Sequence, residues 1–374
     1  MSVPRGNALG GSSAPVEPVF ARRVIDWQSR HGRHHLPWQD TRDAYRIWLS
    51  EIMLQQTQVS TVLPYFARFL GRFPHVAALA AAPLDDVLAE WSGLGYYSRA
   101  RNLHRCAQAV VAEHGGRFPV DSVTLATLPG IGRSTAAAIA VFSRGERVAI
   151  LDGNVKRVLA RSLGFGQDLA QQEHQRALWS LAEDLLPAAQ IEAYTQGLMD
   201  LGATCCTLRQ PACDNCPLGG TCVARAQGEP TAYPIKSRRL KRHRLHNWLL
   251  WLMHVDRVWL VQRPATGVWA GLWSFAEFGD EIGLNHLTRA WPGELSHAPA
   301  ITHVLTHRDW VLSPLVVRWP DRLSADQVRQ LESTLPNGRW FTIEQAMALG
   351  LATPIRRWLN QVMPVLEIEC ENVA

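Results

Sequence analysis

The segment Thr127–Arg157 reads TLPGIGRSTAAAIAVFSRGERVAILDGNVKR and organises the rest of the chain. A Leu-Pro-Gly-Ile-Gly turn (Leu128–Gly132) separates two helix-forming segments, and Asp152 precedes a second helical run, Val155–Ser162. Glycines permit backbone conformations that other residues rarely adopt, so amides at the start of the Ser134–Phe142 helix can face a phosphate. Asp152 is placed to cap the next helix, whose dipole favours an ionised carboxylate. A phosphate-holding turn followed by an anionic carboxylate is one way to bring a negative charge to a sugar carbon on DNA.

These residues resemble the helix-hairpin-helix DNA glycosylase superfamily, and the chain from about Phe20 to Met363 is similar to the adenine DNA glycosylase (MutY) family. In that superfamily the hairpin grips the DNA backbone and the following aspartate is catalytic. The resemblance makes the hairpin residues DNA contacts and allows a monovalent cation at the turn; the residues concerned are Leu128, Gly130, Gly132 and Ser134. Members with lyase activity carry a lysine where Ser134 stands, which favours a monofunctional glycosylase here.

The composition fits a DNA-binding protein of a reducing compartment. The 374 residues suffice for two domains, and the net charge of +5 includes six Lys or Arg within Lys236–Arg244. Basic character suits a polyanion, although a mildly basic chain is common elsewhere too. No apolar run reaches membrane-spanning length, and seven cysteines, four of them closely spaced, suit a metal site better than a disulfide framework. We expect a cytoplasmic, nucleoid-associated monomer.

The patterns divide the chain into a disordered tail (1–17), an all-α domain (18–227), a basic linker (228–245) and a smaller α/β domain (246–368). In the α domain we predict these helices: Phe20–Ser29, Ala44–Val59, one starting at Pro83, Ser98–His114, Val123–Thr127, Ser134–Phe142, Val155–Ser162, Glu173–Leu186 and Ile191–Gly202. In the α/β domain we predict two hairpins, Trp248–His254 with Arg257–Gln262 and Ile301–Leu305 with Trp310–Trp319, and three helices, Asn285–Trp291, Ala325–Glu332 and Thr342–Leu349.

Four cysteines, Cys206, Cys213, Cys216 and Cys222, are spaced C-x6-C-x2-C-x5-C. Four thiolates suit a [4Fe–4S] cluster or a tetrahedral zinc ion. The spacing matches the cluster loop of the glycosylase superfamily, whereas a zinc ribbon usually has two C-x2-C pairs and only one is present. Cys205 is an alternative first ligand from the sequence, and the family spacing selects Cys206. The resemblance implies a structural, DNA-positioning cluster, with redox sensing left open.

Two carboxylates suit the cleavage of an N-glycosidic bond. The leaving base needs a proton and the developing oxocarbenium ion needs negative charge, and carboxylates in contrasting surroundings can divide that work. Glu51, in a helix beside Trp48 and Ile52, has apolar neighbours that favour its protonated form. Asp152, at a helix N-terminus, should stay ionised. The family implies that Glu51 protonates adenine at N7 and that Asp152 stabilises or covalently traps the sugar; a solvated helix position and a simple cap are the alternatives.

A glycosylase must also fill the gap left by an extruded base. If Ala44–Val59 is one helix, Gln55, Gln56 and Thr57 lie one turn beyond Glu51. The resemblance makes Gln56 the filler of the vacated stack and Tyr96, in GLGYYSRARNL, a wedge beside the damaged guanine. Arg99 and Arg101 are candidate phosphate contacts; a solvated basic face is the alternative. The resemblance also implies an adenine pocket formed by Trp38, Asn154 and Gln196. Lys156 lies near Asp152 in the sequence and could form an adventitious imine with an opened sugar.

The segments Gln262–Phe278 and Ile301–Leu312 resemble the Nudix-like C-terminal domain of the same family, which reads 8-oxoguanine. The Glu-rich helix with which Nudix hydrolases hold Mg²⁺ is absent, so we expect recognition and not hydrolysis. Where the family often has Phe-Ser-His in a lesion-reading loop, this chain has Leu305, Thr306 and His307. The lost aromatic ring puts intercalation by this loop in doubt.

The sequence therefore predicts a base-excision-repair enzyme that removes adenine mispaired with 8-oxoguanine or guanine in double-stranded DNA and leaves an abasic site. Repair or replication proteins at the linker are expected partners. Two alternatives stay open: a bifunctional thymine-glycol lyase of the endonuclease III type, and a non-catalytic iron–sulfur DNA-binding or redox-sensing protein.

Overall fold

The computed structural model describes residues 19–237, 242–306 and 308–361. It contains two compact units: Met1–Glu51 with Phe118–Arg238, and Ile52–Arg117 with Arg239–Ala374. The predicted N-terminal tail lies outside the described residues. Within those described ranges no helix is both long and apolar enough to cross a membrane.

The N-terminal part of the chain is helical, as predicted. Its α-helices are α1 (Val19–His31), α2 (Ala44–Leu54), α3 (Val59–Arg72), α4 (Val76–Ala81), α5 (Leu84–Trp91), α6 (Ser98–His114), α7 (Ser122–Leu125), α8 (Arg133–Arg144), α9 (Gly153–Leu163), α10 (Gln172–Asp184), α11 (Ile191–Asp200) and α12 (Val223–Ala226). A π-helical turn, Leu201–Cys205, continues α11, and short 3₁₀ turns lie at Cys213–Asn215 and Pro230–Ala232.

The predicted helix over Ala44–Val59 is wrong beyond Leu54. Thr57 N–H bonds to the Leu54 carbonyl at 3.2 Å and Gln56 adopts a left-handed backbone (φ 58°), which ends α2 before α3 begins. The sequence reasoning missed α3, whose early Pro64 weakens the helical signal, and the short α4.

The core of the first unit is built around α8, α9 and α11. The buried side of α8 carries small side chains, among them the fully buried Ala136 and Ala140. Neighbouring helices can therefore approach closely. Gly197 of α11 packs on α1: a Cβ there would lie 2.8 Å from Val24 Cγ1. Gly202 likewise leaves room for Asn154, because a Cβ added at Gly202 would lie 2.5 Å from the Cβ of Asn154. These contacts fix the ends of the helices that carry the candidate site.

The second unit combines α3–α6 with an eight-stranded sheet. Its strands are β1 (His243–His254), β2 (Arg257–Gln262), β3 (Trp273–Ser274), β4 (Ala276–Phe278), β5 (Glu294–His297), β6 (Ile301–Val304), β7 (Arg308–Trp319) and β8 (Arg339–Thr342). Helices α13 (Glu281–Thr288), α14 (Ala325–Glu332), α15 (Ile343–Met347) and a last helix over residues 353–361 complete it.

The sheet has the order β3-β2-β1-β7-β5, with β1 and β7 parallel at its centre. Both predicted hairpins are confirmed: β1 pairs antiparallel with β2, and β6 with β7. The parallel pair and the short strands β3, β4, β5 and β8 were not predicted. The linker prediction extends too far, because β1 already begins at His243. The start of β1 is polar and lacks apolar periodicity, which is why it was not predicted as a strand. Backbone pairing with β7 orders it, and an Arg242–Asp309 ion pair adds to that pairing.

Candidate active site

Glu51 lies on α2 among apolar side chains and is itself partly buried. Trp48 and Met53 are fully buried and Ile52 is nearly so. Burial raises the pKa of Glu51 to about 8, and the negative charge of Asp152 contributes to the increase. Glu51 is therefore mostly protonated at neutral pH and can donate that proton.

Asp152 caps α9, as predicted. Its Oδ1 accepts the Val155 N–H at 2.7 Å. Burial raises the pKa of Asp152, whereas the amides of Val155 and Asn154 and the charges of Arg157 and Lys156 lower it. Burial therefore outweighs the effect of the cap on this pKa, and the prediction that Asp152 stays ionised is left as a prediction. The cap still gives this carboxylate hydrogen-bonding partners for its charged form.

Ser134, on α8, binds the backbone that leads to Asp152. Its Oγ accepts the Leu151 N–H at 3.0 Å. Leu151 itself is buried, with 2% exposure, so the segment before Asp152 is fixed from both its backbone and its side chain. The hydroxyl at the position of the lyase lysine thus has a structural contact.

The hairpin turn joins α7 to α8. Leu128 is buried, and Ile131 N–H bonds to the Leu128 carbonyl at 3.1 Å. Gly130 has a left-handed backbone (φ 76°), which favours glycine. Gly132, the N-cap of α8, has φ −86°, which any residue adopts, so the prediction that both glycines are needed for their conformation is wrong for Gly132. A Cβ at Gly132 would meet nothing within 4 Å, and no side chain caps α8.

The residues assigned to an adenine pocket are held by different contacts. Trp38 is buried with 8% exposure. Asn154 Oδ1 accepts from Arg157 Nη2 at 2.8 Å. Gln196 is partly buried and donates to Asp200 Oδ1 at 2.9 Å. All are ordered in the first unit, and their contact with adenine stays a prediction.

Lys156 follows Asp152 by one helical turn. Its Nζ donates to Gln175 Oε1 at 3.2 Å. Burial and the nearby charge of Lys236 lower the pKa of Lys156, against the opposing effect of Asp152. The lowered pKa favours the neutral form of this amine relative to an exposed lysine.

The residues assigned to duplex opening lie in the second unit. Gln56 is exposed, while Gln55 and Thr57 are partly buried. Tyr96 is 46% exposed and adopts a left-handed backbone (φ 49°). The Tyr96 hydroxyl lies 3.3 Å from Thr306 Oγ1, so two predicted lesion contacts are hydrogen-bonded to each other. His307 lies outside the described residues.

The prediction that Arg99 contacts phosphate is wrong. Its side chain is buried with 8% exposure, and its guanidinium donates to backbone carbonyls of the protein. Arg101 donates to the Ala270 carbonyl at 2.7 Å, which leaves the prediction for that residue open.

The four predicted cysteine ligands line one pocket. Its other lining residues include Cys205, Arg161 and Arg225. Arg161 Nη1 donates to Cys206 Sγ at 3.3 Å, whereas Cys205 donates to the Ala212 carbonyl at 3.3 Å. Among the described residues, no group of three or more His, Cys, Asp or Glu is placed to hold a metal ion. Four thiols and the buried Arg161 guanidinium share this pocket, and the predicted cluster stays a prediction.

Comparison with known proteins identifies the family. Residues 49–184 match the family model described as HhH-GPD superfamily base excision DNA repair protein, and residues 247–361 match a NUDIX domain. The adenine DNA glycosylase of Buchnera aphidicola subsp. Acyrthosiphon pisum is 32% identical over 353 residues, which cover 91% of this chain and 97% of that protein. The chain belongs to the adenine DNA glycosylase family.

Other members of the adenine DNA glycosylase family agree with that assignment. The Homo sapiens protein is 31% identical over 407 residues, covering 91% of this chain and 73% of its own. The structure of a thermostable thymine-DNA glycosylase is also similar, with 28% identity, a TM-score of 0.51 and coverage of 56% of this chain and 96% of that one. As a family member, this protein is an enzyme that acts on N-glycosyl bonds.

Two buried charged residues of the first unit, Arg161 and Asp200, were missed from sequence. Arg161 lies three residues after Val158, on the buried side of α9, and that placement of a cation was an available signal. Asp200, fully buried, accepts from Gln196 and from Arg33 Nε at 2.6 Å. No periodicity predicts that partner, because Arg33 and Asp200 are far apart in the chain.

Proposed function

We propose that this protein excises adenine mispaired with 8-oxoguanine or guanine in duplex DNA, without lyase activity, and leaves an abasic site. The observation that carries the proposal is the burial of the Glu51 carboxyl near the charge of Asp152, which together raise its pKa to about 8. A carboxyl whose pKa is about 8 beside a second carboxylate is the arrangement that acid-assisted departure of a base requires.

Glu51 is the general acid in this proposal. It transfers its proton to adenine N7, so that the base leaves as a neutral molecule. A pKa near neutrality keeps the acid protonated yet strong enough to donate, which general acid catalysis favours. Its loss is expected to slow excision by about 10²–10⁴-fold.

Asp152 provides the negative charge on the sugar side. As the glycosidic bond breaks, positive charge develops at C1′, and a fixed carboxylate stabilises it by electrostatic attraction or by bonding to the carbon. The Val155 amide donates to that carboxylate, and the Leu151 amide donates to the Ser134 hydroxyl. These two hydrogen bonds keep the carboxylate in place. Water then attacks C1′, any bond from Asp152 to that carbon breaks as the new C–O bond forms, and the proton that water releases restores the acid form of Glu51.

Ser134 supports the absence of lyase activity. A lyase forms an imine with the sugar through an amine, and a serine hydroxyl cannot do so. Its oxygen is also engaged with the Leu151 amide. Lys156 is a possible source of adventitious imine only, since its amine is bonded to Gln175.

The hairpin is the proposed grip on the DNA backbone, through Leu128, Gly130, Gly132 and Ser134. The uncapped N-terminus of α8 and the open space at Gly132 suit the approach of a phosphate. A monovalent cation at the turn would add to this contact. Trp38, Asn154 and Gln196 form the adenine pocket in this proposal.

Recognition of the lesion is assigned to the second unit. Gln56 fills the vacated stack, with Gln55 and Thr57 beside it, and Tyr96 wedges next to the damaged guanine. The Tyr96–Thr306 hydrogen bond supports a shared role of wedge and Nudix-like loop, completed by His307.

The cysteine pocket is the proposed site of a [4Fe–4S] cluster held by Cys206, Cys213, Cys216 and Cys222. Bound there, the cluster would supply structural cross-linking of the loop and a redox-active centre. Arg161 would offset its negative charge. We further propose a monomer near the nucleoid, with repair or replication proteins docking on the linker.

Single-turnover strand scission on a duplex with one adenine opposite 8-oxoguanine tests the function. We expect strand breaks only after hot alkali, because excision alone leaves an abasic site. Breaks without alkali would support the lyase alternative. No product in either case would support the non-catalytic alternative.

A further inference from the structure

One buried arginine, Arg99 in the first turn of α6, binds the end of α2. Its Nη1 lies 2.9 Å from the Ile52 carbonyl, 2.8 Å from that of Met53 and 2.7 Å from that of Gln55. Carbonyls at a helix C-terminus lack partners within the helix, and a cation there also meets the negative end of the helix dipole. Arg99 therefore fixes the turn in which Gln56 lies.

The same guanidinium also binds a second turn. Its Nη2 lies 3.2 Å from the carbonyls of Leu94 and Gly95, which precede Tyr96, and 3.2 Å from Thr57 Oγ1. One planar side chain thus joins the turn after α2 to the turn before α6.

Each of these turns presents one exposed side chain from a left-handed backbone. Gln56 has φ 58° and Tyr96 has φ 49°, a conformation that is unfavourable for residues other than glycine. The surrounding structure must hold such residues in place. Beneath them, the Arg99 guanidinium lies 5.5 Å from the Tyr96 ring centroid and 5.3 Å from that of Trp91.

We propose that Arg99 is a positioning residue that holds Gln56 and Tyr96 together as a preformed double wedge for opening the duplex. This inference rests on the proposed function. Preformed wedges lower the cost of base extrusion, because the protein needs no reordering when stacking is lost. An arginine suits this place, because the two terminal nitrogens of its planar fork face acceptors on both turns at once, whereas a lysine brings a single nitrogen. Burial lowers the pKa of Arg99 to about 10, so it stays cationic at neutral pH.

The test compares single-turnover excision by Arg99→Lys and wild-type protein on two duplexes. Both contain adenine opposite 8-oxoguanine, and they differ only in whether the adjacent base pair is matched or mismatched. A flanking mismatch lowers the cost of extrusion. Arg105→Lys is the matched control, because Arg105 is an exposed arginine on the same helix. A thermal melt checks that each variant is folded.

We expect Arg99→Lys to slow excision by about 30-fold on the matched duplex and by about 5-fold on the mismatched one, with Arg105→Lys near wild type. If Arg99→Lys is slowed equally on both duplexes, or on neither, the inference is overturned. The proposed function still stands in that case, provided that wild-type protein excises adenine. Wild-type protein that excised adenine from neither duplex would overturn the proposed function and this inference together. If Arg99→Lys does not fold, Thr57→Val removes one acceptor at similar volume, and a smaller difference in the same direction is expected.

Discussion

Asp121 and Asp152 cap two helices of the same unit with nearly the same geometry. Asp121 Oδ1 accepts the Thr124 amide at 2.8 Å, and Asp152 Oδ1 accepts the Val155 amide at 2.7 Å. Hydrogen bonds dominate at Asp121 and lower its pKa, whereas burial dominates at Asp152 and raises its pKa. The cap therefore orients a carboxylate, and the surroundings decide what that carboxylate can do.

The neighbours of the two caps differ as well. Beside Asp121, the next residue, Ser122, is bonded through its amide and hydroxyl to Glu146 at 2.8 and 2.7 Å, in a purely structural arrangement. The charge of Asp152 acts on Glu51 and helps to raise the pKa of that acid to about 8. Of these two caps, the one at Asp152 therefore favours a proton on a neighbouring carboxyl.

Replacing both caps by asparagine gives the largest expected difference. Asparagine caps helices as well as aspartate does, so both variants should fold. Asp152→Asn should slow single-turnover excision on the order of 10³-fold, because the charge that stabilises the sugar cation is lost. Asp121→Asn should stay within about twofold of wild type. Equal rates for the two variants would mean that the Asp152 charge has no catalytic role.

The pH dependence of stability sharpens the comparison through Glu51. Since its folded-state pKa is about 8 and its ordinary value 4.5, its contribution to stability is fully present below about pH 4.5 and is lost as the pH rises toward 8. Glu51→Gln cannot ionise, so relative to wild type it should gain on the order of 2 kcal/mol in unfolding free energy between pH 5 and 7.

Denaturant titrations of wild type and Glu51→Gln across that pH range measure this gain. Asp121→Asn should show no trend across that range, because the pKa of Asp121 is lowered on folding and its contribution to stability changes only below the ordinary aspartate value. A difference between wild type and Glu51→Gln that did not change with pH would contradict the raised pKa.

The hairpin glycines provide a smaller test of the same distinction between conformation and chemistry. Gly130→Ala should lower the unfolding free energy by about 1 kcal/mol, because its φ is positive. Gly132→Ala should change stability by less than about 0.5 kcal/mol, yet weaken duplex binding where its new methyl group meets a phosphate. Chemical melts and binding isotherms separate the two effects. Unchanged binding by Gly132→Ala would contradict the proposed grip.

Much of the fold follows from local sequence signals. The helices after the hairpin and the β1–β2 and β6–β7 hairpins were predicted, since apolar periodicity and turn residues mark them. The break after Leu54 was not, because Gln56 takes a left-handed backbone that its residue type does not signal. The parallel pairing of β1 with β7 depends on contacts between distant segments, which local patterns cannot specify.

The candidate site shows the same limit. The residue types and spacing predicted the Asp152 cap and an apolar setting for Glu51, and both are present. The burial of Arg99 was predicted wrongly, because it depends on tertiary packing around a short polar segment. The ionised state of Asp152 stays a prediction, and burial raises its pKa. Helical spacing identifies a face, and only the packed structure shows which charges that face encloses.

The most direct test of the account is the pH profile of kcat/KM for adenine excision by wild type and Glu51→Gln. This ratio reports groups of the free enzyme. Because Glu51 must be protonated to act, we predict that wild-type activity falls as the pH rises through about 8, and that the low residual activity of Glu51→Gln shows no such fall. A wild-type profile without a group titrating near pH 8, or the same fall in Glu51→Gln, would contradict Glu51 as the acid.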